Sequence, residues 1–234
     1  MGIHRRIRHR IERTRNRHSR AVFHNGTIVI RLARNLSNME EQEHIENLLR
    51  RMTRQVLEDE QRIAINPFGP LLNGTQSSAT VETATGKRYI FSLRAGSCTS
   101  TQRTARGWNI IVGPRLRRRG LHQILWKLLS DAELPRIERM VRQTNTQIFS
   151  ARINSVCLKF ASTQWGSCSP RKVIMINTAL LFTSPSLLKY VVIHELAHLR
   201  YPNHSAAYWN LVEQMMPSCE RARTLLKEYR LPNL

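Results

Sequence analysis

The sequence predicts an α+β protein: a β-rich N-terminal part, then a mostly helical C-terminal part with a small sheet. Three observations lead there. Between residues 20 and 115, short β-branched and aromatic runs are separated by turn signals. From residue 116 onward, apolar residues recur mainly at helical spacing. The apolar fraction of 41% is ordinary for a chain that buries a core, which excludes wholesale disorder. The expected organisation is a basic tail over 1–19, a β-rich region over 20–115 and a mostly helical domain over 116–234.

The tail carries Arg5, Arg6, Arg8, Arg10, Arg13, Arg15 and Arg17 with almost no apolar periodicity, and its first half reads as mobile. Residues 21–32 read as a β-hairpin, because Asn25-Gly26 is the favoured type I′ turn pair between Val, Phe and Ile. Ser37 and Glu40 form a capping box before a helix reaching about Glu58. The Pro, Gly and Asn cluster over 66–74 breaks the chain. Strands are predicted over Arg88–Arg94 and Trp108–Val112, with a polar loop around Gly96–Arg106. A helix follows over about 121–149, which Pro135 is expected to kink or divide. Residues 156–161 and 173–176 read as strands. After Ser184, a cap with Pro185 at the first helical position, the chain turns helical almost to its end.

Thirty-seven Lys and Arg oppose sixteen acids, a net charge of +21. Such a surplus attracts polyanions, so nucleic-acid contact through the basic tail and Arg115–Arg119 is a candidate beside a merely solvated arginine-rich face. Cys98, Cys157, Cys168 and Cys219 contain no CxxC pair, which argues against a disulfide framework or a four-cysteine zinc ribbon. No apolar run is long enough for a membrane helix, and no apolar core follows the basic start, so a cytoplasmic protein is expected.

The chemistry is concentrated in His194-Glu195-Leu196-Ala197-His198. On a helix, residues four apart share a face, so two imidazoles can reach one ion while Glu195 sits beside an attacking water. A catalytic zinc needs a third protein ligand, and His204 is the candidate. On an unbroken helix His204 would lie about 15 Å further along and face elsewhere. Pro202 supplies the bend that brings it back, and Ser205 can then cap the helix bearing Tyr208 and Trp209. The spacing equals that of metzincin proteases, but Tyr201 stands where their turn glycine would be, so the chain is not placed among them. The remaining histidines, His122 among them, have no partner spacing and read as surface residues.

Here the chain resembles the YgjP-like metal-dependent hydrolases. Over residues 135–229 the resemblance rests on Gln164-Trp165-Gly166-Ser167-Cys168-Ser169, Ile176-Asn177, the segment Leu188–His198, and Asn203-His204-Ser205 with Tyr208-Trp209. The front part resembles the family more loosely, through Thr85–Tyr89. The resemblance implies a zincin-like fold with three histidine ligands, a catalytic Glu195, and kinship with the SprT and WLM proteases that act near DNA. Members carry two activity labels, zinc metallopeptidase and nucleoside-triphosphate (UTP) pyrophosphatase. This chain departs from the family at Gln164 and in the insert around 95–107.

Three neutral imidazoles leave a divalent ion, expected to be zinc, its full charge and an open position. This acidifies a bound water whose proton Glu195 takes. The same chemistry serves a peptide bond or a phosphoanhydride, so peptide and nucleotide substrates both stay open. A metal that only staples the fold is the third reading, disfavoured because structural zinc usually has four protein ligands. Trp165, Gly166 and Ser167 are candidate substrate contacts, against a tight turn with Trp165 in the core. Asn177 can orient substrate or cap the following turn, and Tyr201 can donate to an oxyanion. Tyr208 and Trp209 read as packing beneath the metal loop, and Cys168 as a buried thiol.

Overall fold

In the computed structural model, which describes residues 7–24 and 26–232, the chain divides between Arg62 and Ile63 into two units. The first contains strands β1 (Arg8–Arg13), β2 (Arg20–His24) and β3 (Thr27–Leu32), then helix α1 (Asn38–Gln61). The central strand β3 pairs in parallel with β1 and antiparallel with β2. Strand alternation puts Ile28, Ile30 and Leu32 on one face, where they pack with Ile45, Leu48, Leu49 and Met52 of α1. Ser37 and Glu40 form the expected capping box. Gly26 turns at φ +73°, which glycine adopts without steric cost. The expected Asn25-Gly26 turn cannot be followed further, since Asn25 lies outside the described residues, as do residues 1–6 of the expected tail.

Arg8–Arg13 is a strand rather than a tail. Its side chains carry no apolar period. What holds it is a backbone ladder to β3, with Ile11 opposite Ile30, and the Arg13 guanidinium 2.7 Å from Glu41 of α1.

The second unit opens with β4 (Ile63–Ala64), the short α2 (Gly69–Leu72), β5 (Ser78–Glu82), β6 (Arg88–Ala95), β7 (Ser100–Thr104) and β8 (Gly107–Val112). The last four form a sheet in the order β5-β6-β8-β7. The polar stretch expected to be a loop therefore contains a strand. Strand β7 is a polar, mostly exposed edge whose pairing with β8 leaves no apolar alternation to read.

Helix α3 (Arg118–Ile148) runs through Pro135 without dividing. Its buried stripe, Leu129, Glu133, Ile137, Val141 and Asn145, continues at four-residue spacing across the proline, so packing holds both halves to one axis. Within that stripe Glu133 is fully buried and meets the Tyr89 hydroxyl, Lys87 Nζ at 2.8 Å and Arg136 Nε at 2.5 Å. Burial opposes its ionisation, but these partners outweigh burial and hold the carboxyl below its usual range. His122, expected at the surface, is also buried on α3. Its Nε2 accepts from Trp126 Nε1 at 2.8 Å, beside Phe160.

A second sheet follows, from β9 (Ser155–Lys159), β10 (Gly166–Cys168) and β11 (Val173–Asn177), in the order β10-β11-β9. A 3₁₀ turn over Thr178–Phe182 leads to α4 (Pro185–Ala197), α5 (Ala206–Met215), α6 (Cys219–Leu226) and β12 (Tyr229–Arg230). Pro185 starts α4 as expected, but Ser184 makes no side-chain cap bond. One core joins the aromatic residues of β6 and β8, the inner face of α3 and the apolar body of α4. The division expected near residues 115–120 thus falls inside this unit, between β8 and α3. No helix among the described residues is long and apolar enough to cross a membrane.

Candidate metal centre

Helix α4 is apolar almost all round and sits within the core, with Val192, Ile193, Leu196 and Ala197 fully buried. It carries His194 and Glu195 in its last turn and ends at His198, its C-cap. The chain leaves through tight turns, Leu199 N donating to Leu196 O at 3.0 Å and Arg200 N to Ala197 O at 3.0 Å, before Pro202. It then re-enters a helix at Ser205, whose hydroxyl accepts from Tyr208 N at 3.3 Å. This bend brings His204 back. Each of the three imidazoles offers a nitrogen, and those nitrogens lie within 4.8 Å of one another.

The fit to a metal ion can be tested on these atoms. Nε2 of His194 and Nε2 of His204 stand 3.1 Å apart. Two nitrogens bound to one tetrahedral zinc, at about 2.0–2.1 Å each, would stand roughly 3.3 Å apart. Facing lone pairs at such a distance repel unless a proton or a cation lies between them. His198 Nδ1 is 3.0 Å from the carbonyl oxygen of Tyr201. A carbonyl only accepts, so Nδ1 carries the proton and Nε2 keeps its lone pair. His194 Nδ1 is buried with no hydrogen-bond partner among the described residues, which leaves Nε2 as the nitrogen this ring can use. Burial, then the charges of His198 and His204, push the His194 pKa down to about 4, so the ring is neutral near pH 7. Burial, then His198, lowers that of His204. The donor set fits a divalent ion.

Aromatic packing fixes the rings. Tyr208 is fully buried, its ring stacks on His198 at 4.7 Å, and its hydroxyl donates to His194 O at 3.0 Å. Trp209 stacks on His204 at 5.5 Å, and the Arg223 guanidinium lies 5.0 Å from the Trp209 ring.

Glu195, next to His194 in the chain, lies against strand β10. A Cβ placed on Gly166 would meet Glu195 Oε1 at 2.6 Å, so only glycine lets this edge strand approach the carboxyl so closely. Desolvation pushes the Glu195 pKa up to about 8, and a cation beside it would favour the ionised carboxylate that a base must be. Cys168 lies on the same strand face. Burial, then Glu195, pushes its thiol up to about 11, so it is no nucleophile at neutral pH.

The other candidates separate. Trp165 packs against the core, and Ser167 faces the opposite side of β10 from Gly166 and Cys168. Asn177 is fully buried, and its side chain is committed. Its amide donates to Ala161 O and Gln164 O, both at 2.7 Å, and its oxygen accepts from Ala179 N at 3.0 Å. It caps the 3₁₀ turn and holds the loop before β10, with no donor left for a substrate. Tyr201 contributes through its carbonyl to His198. A backbone contact of this kind has no signal in the sequence.

A family model described as YgjP-like, metallopeptidase domain, matches residues 16–229. Two solved structures are similar over 38% of this chain. The metallopeptidase zymogen abylysin of Pyrococcus abyssi shares 26% identity with 87% of its own chain covered, at a TM-score of 0.34. The metallopeptidase zymogen jannalysin of Methanocaldococcus jannaschii shares 21% identity with 90% covered, also at 0.34. A comparison with curated proteins returned no significant match.

Proposed function

Because the chain belongs to the YgjP-like metallopeptidase family, and so is a metal-dependent hydrolase, we propose that it cleaves peptide bonds with one zinc ion held by His194, His198 and His204 and with Glu195 as general base. The observation that carries this reading is the contact between Gly166 and Glu195. Strand β10 is the edge of its sheet, and an extended polypeptide can add to such an edge through main-chain hydrogen bonds. A peptide so placed would run past the carboxyl of Glu195.

When bound, the ion would supply Lewis acidity, polarising the scissile carbonyl and acidifying water. The protein supplies the rest. Glu195, in a dry environment, takes a proton from the attacking water and returns it to the leaving amine. The Tyr201 carbonyl keeps His198 in the tautomer that presents Nε2. Tyr208 and Trp209 hold the ligand rings against rotation. Activated water serves a phosphoanhydride and a peptide alike; the open edge of β10 is the feature that favours an extended peptide.

The test pairs two substrates. The zinc-loaded chain is incubated with a digest of unfolded protein and, separately, with a panel of nucleoside triphosphates including UTP. Peptide cleavage should appear, and E195Q should lower it by roughly 10²-fold or more. G166A should also lower it, by crowding the carboxyl while leaving metal binding intact. Pyrophosphate release without peptide cleavage would replace the peptidase reading with the nucleotide one. Activity that survives E195Q would remove Glu195 from its role.

A further inference from the structure

The first unit is electrostatically two-sided. Between residues 7 and 34 the only acid is Glu12, whereas α1 carries Glu40, Glu41, Glu43, Glu46, Glu58, Asp59 and Glu60 against Arg50, Arg51 and Arg54. Residues paired across a ladder share a face, so the strand register sorts the sheet. Ile11, Arg13, Ala21 and Phe23 lie with Ile28, Ile30 and Leu32 on the helix side. The opposite face presents Arg8, Arg10, Arg20, Arg31 and His24 around Val22 and Val29. Glu12 is shared by Arg10 at 2.8 Å and Arg31 at 3.0 Å. Arg8 and Arg20 make no ion pair with another described residue.

The segment after β1 adds to this charge and is pinned rather than loose. Thr14 N donates to Leu32 O at 3.1 Å, Arg34 N to Asn16 O at 3.0 Å and Ala33 N to Ser19 Oγ at 2.9 Å. Arg15, Arg17 and Arg34 are thereby fixed at the end of the sheet where Arg20 pairs with Arg31, all three exposed and without an ion pair among the described residues. Holding unneutralised arginines together on ordered backbone costs self-repulsion, which a polyanion removes without the usual ordering cost.

We propose that this arginine face of the N-terminal sheet is a docking surface for the phosphate backbone of duplex nucleic acid. Two features choose the partner. The exposed large apolar side chains of the sheet, Ile11 and Phe23, are on the helix side, and Val29 at the centre of the arginine face is buried. The face therefore has nothing to insert into a bilayer. It also lacks an aromatic platform on which unpaired bases would stack. What it offers is a rigid array of guanidiniums, which suits backbone phosphates irrespective of sequence.

The test is binding of the full-length chain to a labelled random-sequence DNA duplex, and to its RNA counterpart, as salt is varied. With about five phosphates neutralised, log K should fall against log salt with a slope of roughly −4 to −5, or about 500-fold between 50 and 200 mM. The quadruple variant R8Q/R15Q/R17Q/R20Q should make that slope shallower by about 3 to 4. The variant R50Q/R51Q/R54Q on α1, which removes nearly as much charge elsewhere, should change it little. Circular dichroism checks that each variant keeps its fold. Equal losses in the two variants would reduce the effect to net charge and overturn the proposal. So would a slope shallower than −2 in the unaltered chain, or binding to phosphatidylserine vesicles in place of duplex.

Discussion

Among single residues, His122 makes the stability of the protein depend on pH. It has no metal-ligand spacing, yet it is buried, accepts a hydrogen bond from Trp126 and packs against Phe160. Burial, then the charge of Arg118, lowers its pKa from the ordinary 6.5 to about 4. The sign follows from linkage. Above pH 6.5 the ring is neutral in both states and its contribution is fully present. As pH falls from 6.5 toward 4 the unfolded chain takes up a proton that the native ring refuses, and stability is lost. We expect up to about 3 kcal/mol of acid destabilisation from this residue across that window. Comparing unfolding free energies of the zinc-loaded protein and H122Q between pH 7 and pH 4 checks it. Parallel profiles would mean that His122 is not the responsible group.

At the scale of elements, the candidate metal centre depends on how two helices are joined. Helix α4 supplies His194, Glu195 and His198 by its own periodicity, but His204 belongs to the connection and is set by where α5 begins. Ser205 fixes that start through its bond to Tyr208 N. S205A should therefore cost about 1 kcal/mol of stability, as loss of an N-cap does. It should also weaken zinc binding, because the ligand just before the cap loses its anchor. A competition titration with a chromogenic chelator measures the second effect. Unchanged affinity would show that the stacking of Trp209 on His204 suffices to place the ring. Strand β10 shows the same dependence on neighbours. Three residues long, it is held at Glu195 by its ladder to β11 and by Asn177, which ties down the loop before it.

For the whole molecule, metal binding and folding of the second unit should be linked, since the proposed ligands come from both sides of a bend that the ion would close. An ion that binds the native state alone stabilises it in proportion to the logarithm of its free concentration over its Kd. Removal of metal with a chelator should lower the Tm, and stoichiometric zinc should restore it. The variant H204A should abolish the difference between the two states. A Tm indifferent to chelation would argue that the three histidines hold nothing.

The fold class, the capped helix α1, the hairpin strands and the HExxH helix were legible in the sequence, because each is written in local periodicity or in residues that satisfy a helix end. The three histidines and the helix-breaking proline between the second and third were legible for the same reason. What the sequence left open was whatever depends on a partner strand or a packed neighbour. Strands β1 and β7 exist through backbone ladders, which side-chain patterns do not encode. Helix α3 passes Pro135 because a buried stripe continues beyond it. Asn177 is used up by carbonyls that only the folded loop brings near, and Gly166 meets Glu195 only because a sheet edge is laid against a helix. Local preference fixes which residues can act; tertiary packing decides which of them face one another, since those contacts join segments far apart in the chain.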